Sequence, residues 1–194
     1  MKEQDIISKT IQYVKKELKG AEAGHDWWHI ERVHQNAKHI AESEKVNMLI
    51  VELGALLHDI ADAKFHDGDE NIGPAKARQF LESHAVDEPI INHVEQIIRH
   101  ISFKGGNESR LFFSPELAVV QDADRLDAMG AIGIARAFQY GGFKNREIYN
   151  PAIKPDLTMS RQAYKKSTSP TINHFYEKLL RLKDMMNTSA GKKM

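Results

Sequence analysis

Apolar residues recur along this chain at intervals of three and four, the spacing that gathers side chains on one face of an α-helix. Ile6, Ile7, Ile11, Val14 and Leu18 form the first stripe, which Gly20 closes. Ile30, Val33, Ala37 and Ile40 form the second, and Leu49, Leu53, Leu56, Leu57 and Ile60 a third, entered near Val46. The stretch from Lys64 to Pro74 has loop composition, and Pro74 suits the start of a fourth helix carrying Ala75, Ala77, Phe80 and Leu81. Pro89, Ile90, Ile91, Val94, Ile97 and Ile98 predict a fifth helix, which runs out through Arg99 and His100 toward Gly105-Gly106. Ser114-Pro115-Glu116 then supplies a capping hydroxyl and a first-turn proline for a helix over Leu117 to Met129. Gly130, Ala131 and Gly133 allow a further helix to pack closely through Ile132, Ile134 and Phe138.

Beyond that point the period weakens. Gly141-Gly142, Asn145, Asn150-Pro151 and Pro155 predict a mobile loop or lid over 139–156. A last amphipathic helix is expected over about 170–188, with Ile172, Phe175, Leu179, Leu180 and Leu182 on its apolar face and a frayed tail from Asn187 to Met194. Neither useful β-alternation nor an internal repeat is visible. The fold class that follows is all-α: one domain over 1–194, a bundle of about seven to nine helices with its core in roughly 20–140.

Composition removes several function classes. The 194 residues include no cysteine, which excludes disulfides, thiol catalysis and Cys-rich zinc sites. With 27 basic and 27 acidic residues and no long block of either sign, no nucleic-acid partner is predicted. No apolar run is long enough to span a bilayer, and Met1-Lys2-Glu3-Gln4-Asp5 opens no apolar leader, so a soluble cytoplasmic protein is expected.

The candidate chemistry lies where charge interrupts the apolar stripes. His58-Asp59 ends the third stripe, with Asp62 one turn on. An ionised carboxylate at such a place needs a cation, and an adjacent imidazole suits a metal that takes mixed nitrogen and oxygen ligands. The plain alternative is a salt-bridged helix end. His25, His29 and Arg32 are spaced i, i+4, i+7 on one side of the second helix, under Trp27 and Trp28. Asp124 falls four residues after Val120 and seven after Leu117, on the buried stripe of its own helix. His29, His58, Asp59 and Asp124 together offer two imidazoles and two carboxylates from three predicted helices. His100 and Lys104 flank a helix end and a Gly-Gly turn, an arrangement that could serve a phosphate-bearing ligand.

The order H…HD…D in an all-helical chain resembles the HD-domain superfamily of metal-dependent phosphohydrolases. The segments His25 to Val33, Leu57 to Asp62 and Asp122 to Ala128 look like its bacterial YedJ/YpgQ-type branch, over roughly residues 20 to 140. The resemblance implies a helical bundle around a buried site for one divalent ion per chain (Mn, Co, Ni, Fe, Zn or Mg), held by His29, His58, Asp59 and Asp124. Asp124 is preferred to Asp122 because Arg125-Leu126 follows it. It also implies a catalytic part for Asp62 beside Asp59, phosphate contacts from Arg32, Lys64, His100, Lys104 and Arg125, and a role for His25 in orienting water or phosphate. His66 or His93 could bring a second metal, although the H-D-x-G-K/GYP pattern of the cyclic-dinucleotide branch is missing. The implied activity is hydrolysis of a phosphate ester or anhydride, above all of a nucleotide, with pyrophosphate release from a nucleoside triphosphate as one form. A non-catalytic nucleotide sensor, an iron-dependent oxygenase and a purely structural cluster are the other readings, and a homodimer stays open.

Overall fold

The computed structural model describes residues 3–21, 24–61, 69–102 and 112–194. Within these residues the chain is all helical, without a strand. Six helices follow the stripes: α1 (Glu3–Glu17), α2 (Trp27–Ala41), α3 (Met48–Leu57), α4 (Ile72–Ser83), α5 (Glu88–His100) and α6 (Pro115–Asp127). Then come α7 (Gly130–Phe143), α8 (Arg161–Lys166) and α9 (Thr171–Glu177), followed by 3-10 turns at Leu179–Arg181 and Lys183–Met185. None of the described helices is long and apolar enough to cross a membrane.

The most apolar segment becomes the centre. In α3, Leu49 to Val51 and Leu53 to Leu57 are all buried, so this helix needs neighbours on every side. It obtains them from α1, α2, α5 and α6. Each leucine removed from water there contributes about 2 kcal/mol. Gly54 sets the spacing to α5, because a Cβ at that position would stand 3.1 Å from Ile97 Cδ1. Helix α2 packs on both α3 and α6, which is the relationship that assembles the site.

Caps fix where the helices begin. Asp26 accepts from the amides of Trp28 and His29 at 3.0 and 3.2 Å, starting α2 just ahead of its first histidine. Asn47 caps α3 through Ile50 N, while its own amide donates to Glu116 Oε1 of α6.

The C-terminal third departs from its expected outline. The span expected as a loop from 139 is helical as far as Phe143, and Glu147 and Ile148 then accept from the amides of Thr171 and Ile172, which ties the span to α9. Gly141 is a packing point, not a breaker: a Cβ there would meet Thr171 Oγ1 at 2.1 Å. Ile132 and Ile134, expected to pack α7 onto the core, are 44% and 48% exposed, and the buried positions of α7 are Gly133 and Gly141. The single helix expected over 170–188 is α9 followed by the two 3-10 turns. The tail is docked: Leu182, Met186, Thr188 and Gly191 are buried, and Asp122 of α6 accepts from Asn187 N, Thr188 N and Thr188 Oγ1.

Candidate metal centre

Three helices deliver the donor groups. His29 lies in the first turn of α2, just after the Asp26 cap. His58 and Asp59 follow the last residue of α3, where the apolar helix gives way to a turn. Asp124 lies at the start of the last turn of α6. Because α2 packs against both α3 and α6, these groups converge.

His29 Nε2 stands 3.3 Å from His58 Nε2, 3.5 Å from Asp59 Oδ2 and 3.6 Å from Asp124 Oδ1. His58 Nε2 is 3.7 Å from Asp59 Oδ2 and 3.9 Å from Asp124 Oδ1. Adjacent donors held about 2.1 Å from a common ion stand about 3 to 3.5 Å apart, so His29, His58 and Asp59 are close to what a divalent cation requires, and Asp124 stands beside the two imidazoles at the edge of that group. Tautomer chemistry agrees. His29 Nδ1 donates to Asp127 Oδ2 at 2.7 Å and His58 Nδ1 donates to the Ala55 carbonyl at 2.8 Å, which leaves both Nε2 lone pairs turned inward. His29, His58 and Asp59 form a group that could hold a metal ion. The imidazoles are buried, while the Asp59 and Asp124 side chains are 17% and 33% exposed, so the centre is reached from the carboxylate side.

The local charges are interdependent. Burial alone would lower the basicity of His29, but hydrogen bonds to Asp127 and Asp59 outweigh it and raise its pKa. Burial works upward on Asp124, and the opposing imidazoles His58 and His29, with a smaller effect from Lys178, bring it below the usual carboxylate range. Asp127 is held down to about 2, because hydrogen bonds from His29 and Arg32 override its burial.

Asp127 is the residue that sequence reasoning passed over. It receives Arg32 on both oxygens, Nε to Oδ1 and a terminal nitrogen to Oδ2, and it receives Arg136 of α7 on Oδ2 at 2.9 Å. A signal was present, since Asp127 falls seven residues after Val120 on the same buried stripe. Lys178 was also missed. At the end of α9 it lines a cleft with Asp124, Arg125, Ile101, Ala128 and Leu182.

The other expected contacts are distributed as follows. His25 meets the His29 ring edge-on at 6.2 Å and Tyr140 of α7 at 5.9 Å. Arg32 is engaged by Asp127. Arg125 borders the cleft but hydrogen-bonds Asp122 and the Met185 carbonyl. His100 ends α5 with its ring against Phe112. His93 bonds Ser114 Oγ, the cap of α6, at 2.8 Å. Asp62, Lys64, His66 and Lys104 lie outside the described residues.

A model of the HD domain matches residues 27–129, which contain every one of the converging donors. The chain belongs to the HD-domain family. It is 37% identical over 195 aligned residues to YpgQ of Bacillus subtilis (strain 168), covering 100% of this chain and 87% of YpgQ. The crystal structure of YpgQ in complex with ADP resembles this HD domain with a TM-score of 0.72 at 34% identity, over 96% of this chain and 86% of the other. An HD-superfamily hydrolase from Bacillus thuringiensis matches with a TM-score of 0.72 at 45% identity, over 98% and 87%. A protein from Lactobacillus plantarum reaches a TM-score of 0.84 at 37% identity, over 97% and 87%. These likenesses support a hydrolase of the HD superfamily.

Proposed function

We propose that this HD-domain protein is a phosphohydrolase that holds one divalent ion on His29, His58, Asp59 and Asp124 and acts on a nucleotide ester or anhydride. The observation that carries the reading is the inward aim of two Nε2 lone pairs beside two carboxylates, with each Nδ1 committed elsewhere. The bound ion would acidify water and offset charge on a phosphoryl oxygen. Nucleotide as the substrate class draws support from the relative YpgQ, whose structure holds ADP.

The protein's own groups have separable tasks in this reading. Lys178, on the cleft beside Asp124, contacts a substrate phosphate, with Arg125 at the same wall. His25 orients water or phosphate above His29. Asp62 orients the attacking water or returns a proton to the leaving oxygen, and Lys64, His100 and Lys104 complete the phosphate contacts. Release of pyrophosphate from a nucleoside triphosphate is the form of the reaction we favour.

The test is product formation by metal-reconstituted protein against ribo- and deoxynucleoside mono-, di- and triphosphates, with Asp59→Ala as control. Turnover that disappears in the control supports the assignment, and the released product names the bond. Nucleotide binding without turnover under Mn²⁺, Co²⁺, Ni²⁺, Fe²⁺, Mg²⁺ or Zn²⁺ would overturn it in favour of a sensor. Oxygen consumption with iron would point to an oxygenase.

A further inference from the structure

Asp127 is buried among more donors than an ordinary ion pair requires. Its carboxylate accepts from His29 Nδ1 at 2.7 Å, from Arg32 through two nitrogens and from Arg136 at 2.9 Å. Its backbone carbonyl accepts from Arg136 as well, at 3.2 Å. Two guanidinium groups from different helices therefore share one carboxylate, and an imidazole takes what remains. Arg136 also reaches back to the Gly24 carbonyl at 2.9 Å, in the segment that precedes His25.

We infer that Asp127 is the positioning residue of the metal centre: it fixes the tautomer and aim of His29, and Arg136 makes that aim depend on the seat of α7. An ionised carboxylate can only accept, so its 2.7 Å partner Nδ1 must carry hydrogen. Neutral His29 then presents a bare Nε2, the atom that faces His58, Asp59 and Asp124. One hydrogen bond would leave the carboxylate free to swing. Arg32 on α2 and Arg136 on α7 fix it from two sides, so the imidazole plane is set by the packing of α2, α6 and α7. An outer carboxylate of this kind also raises the basicity of the ligand it supports. The part of this inference that concerns metal affinity rests on the proposed function, whereas the tautomer does not.

The test uses full-length protein. Long-range ¹H–¹⁵N spectra of the His29 side chain, recorded metal-free above its titration range and again with Zn²⁺, are expected to show hydrogen on Nδ1 in both states. Zn²⁺ and Mn²⁺ affinities are then measured by calorimetry for Asp127→Asn, Arg136→Gln and the double variant, with circular dichroism to confirm the fold. The expected losses are about 10- to 100-fold for Asp127→Asn and smaller for Arg136→Gln, with the double variant no weaker than Asp127→Asn alone. Hydrogen on Nε2 in the metal-free protein would overturn the inference. So would an Asp127→Asn protein that loses thermal stability but binds metal within twofold of the parent. If Asp127→Asn does not fold, the parent tautomer and the Arg136→Gln affinity still decide. A parent protein that shows the Nδ1 tautomer but binds no metal would sink the proposed function and leave the tautomer assignment standing.

Discussion

Asp122 and Asp124 stand two residues apart on α6 and serve opposite sides of it. About 200° of helix rotation separates them. Asp124 Oδ1 faces His29 Nε2 at 3.6 Å, whereas Asp122, 0% exposed, accepts from Thr188 N at 2.7 Å and from Asn187 N at 2.9 Å. The two carboxylates are alike in sequence and separable by experiment. Asp122→Ala is expected to destabilise the protein by about 2 to 4 kcal/mol, because several buried donors lose their acceptor, while metal stoichiometry stays at the parent level. Asp124→Ala is expected to lose metal at much smaller cost to stability. Denaturant unfolding beside elemental analysis would read both, and equal loss of metal in the two variants would contradict the division of roles.

Lys178 is predicted to act on substrate affinity. Lys178→Met keeps most of the aliphatic stem and removes the charge from the cleft wall it shares with Asp124 and Arg125. KM for a nucleotide is expected to rise about tenfold, equivalent to about 1.4 kcal/mol, with a smaller change in kcat. Steady-state kinetics at two salt concentrations would test this, since a lost phosphate contact should also weaken the salt dependence.

His174 makes a separate prediction about pH. Burial, with Lys178 and Arg146 as nearby cations, presses its pKa down to about 3, and Tyr164 Oη lies 3.5 Å from its Nδ1. The unfolded chain titrates this imidazole near 6.5. Between those values the unfolded state binds the extra proton, so stability falls as pH drops below about 6.5, by at most about 1.4 kcal/mol per pH unit from this group. Chemical denaturation at pH 7.5, 6 and 5 is expected to show a steeper decline for the parent than for His174→Gln. Parallel declines would remove His174 as the cause.

Gly141→Ala is expected to destabilise by about 1 to 3 kcal/mol, because the new methyl would meet Thr171 Oγ1 at 2.1 Å. Gly142→Ala, with nothing within 4 Å of its added carbon, serves as the contrast and should leave the melting temperature nearly unchanged.

The two glycines show where sequence reading worked and where it stopped. Helices α1 to α6 were legible because each carries a continuous apolar stripe, and His58-Asp59 stood out because charge ended the most apolar of them. The converging donors were legible for the same reason. After residue 139 the local signal and the tertiary outcome part: Gly141 looks like a breaker until Thr171 is seen against it, and the tail looks unpartnered until Asp122 is seen to hold it. Asp127 escaped notice as a site residue because its meaning depends on His29 and Arg32, 98 and 95 positions away. Lys178 lies outside the segments that carry the motif, and only the fold sets it beside Asp124.

The docking of the tail onto α6 imposes an order of events during synthesis. The last of the four converging donors, Asp124, leaves the ribosome well before the amides that Asp122 requires, which come 65 and 66 residues after Asp122 itself. A nascent chain can therefore gather the whole donor set while the neighbouring carboxylate still awaits those partners. A premature stop between Asp124 and Asn187 would leave the four donors encoded and the helix that carries Asp124 without its tail anchor.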